Sequence, residues 1–247
     1  MNFLSVSGIS FSYGKKEILK NISFSLPQKS ALYVLGPNGG GKTTLLKILA
    51  GILKQKSGDY FIDGKKISEL TAVKKAEKAA YVPGEINTVF DFSVIQTVML
   101  GRIRFKEWWR EFDKEDKDAS YDAMKKLGIE NLAEKSVNKI SLGEKQLVFL
   151  AQALVQRPSV MILDEPSSHL DIDHKIKLFE ALSEMKKNGI TIVFASHEIK
   201  PSLFYSDYCL CLKEGELFRF CTSKEITFDI LGELYSLKNK NTFKNFL

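Results

Sequence analysis

Eight consecutive residues, Gly36, Pro37, Asn38, Gly39, Gly40, Gly41, Lys42 and Thr43, have the composition of a phosphate cradle. Glycines at the first and sixth places let successive backbone N–H groups converge on an anion. A lysine at the seventh offers a point charge to the β- and γ-phosphates. A hydroxyl at the eighth, Thr43, can ligate Mg²⁺, and Thr44 extends the cradle. A second acidic motif reads Met161, Ile162, Leu163, Asp164, Glu165, Pro166. An acid such as Asp164 beyond an apolar strand can reach the same metal, and Glu165 can orient or deprotonate an attacking water. A lone histidine, His197, follows Ile192, Val193, Phe194, Ala195 and Ser196 and is placed to contact a γ-phosphate. His169 and His174 read as surface groups. Each motif also has a bland reading: a glycine turn, acids that cap the next helix, a structural histidine.

The chemistry requires the three motifs to meet, and that depends on the elements that carry them. Residues 31–35 and 159–163 are short continuous apolar runs, as in buried parallel strands, and residues 190–194 form a third. Ligands in open α/β sheets bind beyond the carboxyl ends of such strands, where all three motifs fall. Helical periodicity follows the glycine loop through Leu45, Leu46, Ile48 and Leu49, with Gly51 as a stop. Residues 3–11 and Ile22, Phe24 and Leu26 alternate with a period of two, which predicts an N-terminal antiparallel β region. Asp63-Gly64 marks a turn, and Glu214-Gly215 a hairpin. From about residue 85 to 140 helical patterns dominate, which predicts an inserted helical lobe. The predicted fold class is therefore α/β, with a mostly parallel central sheet in a P-loop nucleotide hydrolase arrangement. One domain spans 1–247, and the polar stretch at about 238–247 reads as a loose tail.

Lys and Arg outnumber Asp and Glu by 36 to 30, a net charge of +6, but the charges are dispersed. That pattern describes a solvated surface, and no aromatic-basic or zinc-finger motif points to nucleic acid. The three cysteines, Cys209, Cys211 and Cys221, lack metal spacing and read as reduced thiols in a core. No apolar run approaches the ~18 residues of a membrane span, and the start has no basic, then apolar, secretory pattern. Work at a membrane would need other chains to span it.

One more stretch is informative. Ser141 precedes an apolar helical run, with Glu144 three residues on, which is a capping box. The helix start is an ordinary cap or an anion site, because exposed N–H groups and the positive dipole end attract phosphate.

Taken in order, Tyr13 in a Phe-Ser-Tyr-Gly segment, the glycine loop, the helical insert, the residues from Ile140 to Gln146, the acids after Leu163, residues 168–171 and His197 resemble an ATP-binding subunit of an ABC transporter. The resemblance covers roughly residues 1–225. It implies ATP and Mg²⁺ as cofactors and Tyr13 stacked on adenine. It implies a head-to-tail dimer with a second copy or a paralogue, with Asp171 in the subunit contact. Ser141, Gly143 and Glu144 would face the γ-phosphate bound by the partner's glycine loop. ATP hydrolysis, with Glu165, His197 and Lys42 as catalytic groups, would drive import through separate transmembrane permease subunits, indirectly served by a substrate-binding protein. The chain would sit on the cytoplasmic face of the membrane and bind no nucleic acid. The insert from Phe90 to Arg102 is similar to subunits of iron-chelate, haem and cobalamin importers. Arg104, Phe105, Trp108 and Trp109 form either a grip on the permease or a small core for the lobe.

Two positions depart from the family pattern. Leu142 stands where the signature has its first glycine, and Gly84 stands where a metal-reaching glutamine is usual. Leu142 is expected beside the ligand, weakening the closed dimer. Gly84 is expected to loosen the loop that enters the lobe, so that Gly84→Gln would raise Mg²⁺-dependent turnover. These departures leave two alternatives open: a nucleotide-gated interaction protein with little hydrolysis, and one half of an asymmetric heterodimer.

Overall fold

The computed structural model describes residues 2–86, 91–105, 111–168 and 170–237. The chain runs β1 (Leu4–Tyr13), β2 (Lys16–Leu26), β3 (Ala31–Leu35), α1 (Lys42–Leu49), β4 (Ser57–Ile62), β5 (Lys65–Lys66), α2 (Ala72–Lys78) and β6 (Ala79–Val82). It continues through α3 (Val94–Met99), α4 (Lys114–Lys126), α5 (Leu142–Val155), β7 (Val160–Asp164), α6 (Ile172–Lys187), β8 (Thr191–Ala195), α7 (Ile199–Tyr205), β9 (Tyr208–Lys213), β10 (Glu216–Thr222) and α8 (Phe228–Leu234).

Two sheets result. The first is antiparallel, in the order β2-β1-β4-β5, and its last hairpin turns at Asp63 and Gly64, both with positive φ. The second has the order β10-β9-β3-β8-β7-β6 and is parallel except for the β9–β10 hairpin. The α/β reading with a mostly parallel central sheet and an N-terminal antiparallel region therefore describes the molecule.

Strand periodicity splits the interior in two. Ala31, Tyr33 and Leu35 of β3, Met161 and Leu163 of β7, and Ile192 and Phe194 of β8 face a core shared with α3, α4, α5 and α6. Leu32, Val34, Val160, Ile162, Val193 and Ala195 face a second core made with α1 and the antiparallel sheet. Each Leu, Ile, Val, Met or Phe among them contributes roughly 1.5–3 kcal/mol by leaving water. The lobe helices start on reciprocal caps: Ser93 with Gln96, Asp113 with Asp116, and Ser141 with Glu144. Asp116 also accepts from Arg102 Nε at 2.9 Å, and both side chains are buried. Breaking a buried pair of this kind typically costs about 3–5 kcal/mol, so this contact holds α4 to the segment after α3.

Cys209 and Cys211 are buried on one face of β9, and the three cysteines are unbridged. Among the described residues no helix is long and apolar enough to cross a membrane. Phe90, Trp108, Trp109, His169 and residues 238–247 lie outside the described residues.

Candidate functional site: a glycine loop facing strand-end acids

The glycine loop leaves β3 at Leu35 and enters α1 at Lys42. Its shape depends on missing side chains. A Cβ on Gly36 would lie 2.2 Å from the Leu212 carbonyl oxygen, and one on Gly41 2.6 Å from Leu19 Cδ2. Gly41 also takes φ 97° as the residue that precedes α1. Lys42 Nζ donates to the carbonyls of Gly36 at 2.7 Å and Pro37 at 3.1 Å, so the lysine spans its own loop. Burial depresses its pKa, while the charges of Glu165 and then Asp164 push it back up. Both acids are thus close enough to feel the lysine.

Asp164 is the last residue of β7 and is buried; its Oδ2 accepts from Tyr81 Oη at 3.3 Å. Tyr81 belongs to β6, which pairs with β7 in parallel. Burial, then the Asp164 charge, raises the phenol's pKa, so it stays a donor. Glu165 leaves the strand with φ 50°, and its N–H donates to Ala195 O at 2.9 Å. That turn aims Glu165 Oε1 at His197 Nε2, 2.6 Å away. Thr43, Lys47, Tyr81, Gly84, Asp164 and Glu165 are among the residues that line one cleft of about 640 Å³. A second, of about 310 Å³, lies across the loop and is lined by residues including Lys16, Asn38, Gly39, Lys42, Thr44 and Glu165. Lys16 pairs with Tyr13, which is 51% exposed and stands edge-on to Phe11. The fold thus brings the glycine loop, Asp164 and Glu165 together, with His197 joined through Glu165, while Tyr13 and His197 line neither cleft.

Thr43 and Asp164 present a hydroxyl and a carboxylate, hard oxygen donors suited to Mg²⁺ and not to a soft metal. Their joint lining of the larger cleft fits such an ion.

Ser141, Gly143, Glu144 and Asp171 do not line either cleft. Ser141 Oγ accepts from Glu144 N at 3.2 Å, and Glu144 Oε2 accepts from Ser141 N at 2.8 Å. The bond from the Ser141 N–H holds the Glu144 carboxyl below its usual range. Leu142, at the first helical position, is 57% exposed. Asp171 caps α6, accepting from both N and Nδ1 of His174 at 2.8 Å, so His174 is a capping partner and not merely a surface group. The His174 N–H bond keeps the Asp171 carboxyl low.

Gly84 departs from the loose-loop expectation. A Cβ there would meet the Asp164 carbonyl oxygen at 2.9 Å and Glu165 Cβ at 3.4 Å. The loop after β6 is therefore packed against the acid motif, and the preceding carbonyl, Pro83 O, accepts from the buried Gln146 Nε2 at 3.4 Å. A side chain at position 84 must displace backbone. Gly84→Ala is expected to lose about 1–3 kcal/mol of stability by overpacking, read as a lower urea midpoint. An unchanged midpoint would show that the loop yields freely. Gly84→Gln is accordingly expected to lower turnover, the reverse of the sequence-based expectation.

Fold and site define a P-loop ATPase domain, with its phosphate loop set against strand-end acids. The chain belongs to the ABC transporter family: the family model matches residues 19–168. An uncharacterized ABC transporter ATP-binding protein of Methanocaldococcus jannaschii is 36% identical over 220 residues, covering 87% of this chain and 84% of that protein. The ferric enterobactin transport ATP-binding protein FepC of Escherichia coli is 31% identical, covering 93% and 86%. Iron(3+)-hydroxamate import ATP-binding protein FhuC of Bacillus subtilis is 28% identical, covering 96% and 89%. Among solved structures, a chain from an inward-facing ABC transporter assigned to the metal-chelate type superposes with TM-score 0.83 at 25% identity, covering 95% of this chain and 89% of that one. The protein is thus an ATP-binding subunit of an ABC transporter and an ATPase.

Proposed function

We propose that this chain powers import of a chelated metal. It would act as one of two head-to-tail ATPase subunits beneath permease subunits, on the cytoplasmic face of a membrane. The observation that carries the catalytic part is the Glu165–His197 contact at 2.6 Å on the rim of the cleft lined by Thr43 and Asp164. The substrate class rests on relatives named for ferric enterobactin and iron(3+)-hydroxamate.

In this reading, backbone N–H groups of residues 36–44 and Lys42 bind the phosphates, and Tyr13 stacks on the base. Thr43 and Asp164 would hold Mg²⁺, which would neutralise phosphate charge. Glu165 takes the proton of the attacking water, and His197 contacts the γ-phosphate while holding Glu165 in place. Ser141 and Gly143 of the other subunit close the site with the dipole end of α5. Ile103 and Phe105 are exposed beside Arg104, and the guanidinium carbons of Arg102 and Arg104 each sit 4.1 Å from the Phe105 ring centre. Exposed aromatics with arginine suit an interface, so this surface grips the permease. Uptake of a ferric siderophore by cells lacking the subunit, restored by this chain and not by Glu165→Gln, tests the whole reading. Restored ATPase without restored uptake would sink the substrate.

Leu142 favours a second arrangement, pairing with a paralogue whose signature is intact. In a dimer of this chain alone, an apolar side chain would stand where a phosphate contact belongs. One charged hydrogen bond is worth about 1.5–3 kcal/mol. Leu142→Gly is therefore expected to tighten the ATP-dependent dimer and raise ATPase at low protein concentration, with monomer affinity for ATP unchanged. Identical ATPase-against-concentration curves for the two forms would show that Leu142 points away from the nucleotide.

A further inference from the structure

The residue after His197 turns toward α6. Glu198 Oε1 is paired with Lys175 Nζ, while Oε2 is buried with no hydrogen-bond partner among the described residues. The ion pair, with the Glu198 side chain 28% and the Lys175 side chain 31% exposed, ties the strand-end loop to α6. Glu198 N donates to Ser196 Oγ at 3.1 Å, and Ser196 Oγ lies 3.4 Å from Ser167 Oγ, two residues beyond Glu165. Tyr33 Oη donates to Ser196 O at 2.9 Å. Tyr33, Ser167 and Ser196 are buried, so their partners are fixed. At the far end, Lys175 N donates to Asp171 O at 2.9 Å, one turn from the start of α6.

We propose that Lys175 and Glu198 are positioning residues for ATP hydrolysis: their ion pair sets the backbone of residues 196–198 so that His197 meets Glu165. The same pair links that setting to the α6 start, where Asp171 sits. A shift of α6 on dimer closure is then transmitted to His197 through one salt bridge. This rests on the reading of Glu165 and His197 as the catalytic pair. Lys175 and Glu198 pair with each other, and Glu198 is next in sequence to the histidine that meets Glu165, so both are assigned a role through His197.

The test measures kcat, KM for ATP and Tm for Lys175→Met, Glu198→Gln, Lys175→Arg and the swapped pair Lys175→Glu/Glu198→Lys, with His197→Ala alongside. A small misplacement of a reacting group can cost up to about a hundredfold. The two neutralising variants are expected to lose about tenfold or more in kcat. Their KM should hold within about twofold, as for an interaction made only in the transition state. Lys175→Arg should keep kcat, and the swap should recover most of it. Wild-type kcat in both neutralising variants beside an inactive His197→Ala would overturn the positioning role alone. So would kcat losses that neither the arginine nor the swap restores, or that follow Tm and KM. A fully active His197→Ala would remove the catalytic-pair reading, and this inference with it.

Discussion

Glu165→Gln is expected to stop turnover while leaving ATP bound. General-base catalysis contributes about a hundred- to ten-thousandfold to a rate, and kcat should fall within that span. The substitution is nearly isosteric. Its backbone requirement is also unchanged, because Glu165 already bears φ 50° as a non-glycine and glutamine meets the same strain. The carboxamide oxygen can still accept from His197 Nε2 when that nitrogen carries the proton, so the 2.6 Å contact survives in kind. What is lost is the capacity to take a proton from water. With ATP and Mg²⁺ present, a closed dimer should accumulate and elute as a dimer on size exclusion. A variant that hydrolyses ATP at the wild-type rate, or that stays monomeric with ATP, would remove Glu165 from the role of base.

Lys42→Ala should weaken ATP binding. A hydrogen bond to a charged group is worth about 1.5–3 kcal/mol, which is roughly ten- to over a hundredfold in Kd. Two effects add. The β- and γ-phosphates lose a cation, and the loop loses the lysine that bonds the Gly36 and Pro37 carbonyls. Lys42→Met loses both together but keeps the aliphatic stem that fills the buried space, so it separates them from a loss of packing. The Met variant should fold as wild type and still bind poorly. Calorimetry with a non-hydrolysable ATP analogue gives the comparison, and equal affinities would contradict the phosphate-cradle reading.

The parts of the site carried by local chemistry were legible in the residues themselves. The loop of residues 36–43 requires glycine wherever a Cβ would strike backbone, and the apolar runs at β3, β7 and β8 read as buried strands because both faces meet a core. The Ser141 cap was legible for the same reason, since Ser and Glu at that spacing satisfy each other's backbone. What could not be read depends on pairing between distant segments. Tyr81 reaches Asp164 because β6 lies beside β7, and 83 residues separate the two partners. Gly84 looks like a flexible position until the Asp164 carbonyl is found against it. Gln146 and Glu198 sit next to recognised motif residues, yet nothing in their spacing says which backbone or cation they meet. The short helix α2 was missed as well. Its residues, Ala72 to Lys78, include no buried side chain and so leave no apolar stripe to detect.

The six-stranded sheet divides two cores, and β7 belongs to both. Its odd residues are locked by the lobe helices and its even residues by α1 and the antiparallel sheet. Amide exchange in such a strand requires both layers to open, so the β7 amides should be among the slowest in the chain, and the first turns of the exposed α2 among the fastest. A nucleotide touching both α1 and the end of β7 would raise the cost of opening either layer. At a hundredfold excess over Kd that increment is about 2.7 kcal/mol. Hydrogen exchange would then show ligand protection on both sides of the sheet, far from any atom the ligand contacts.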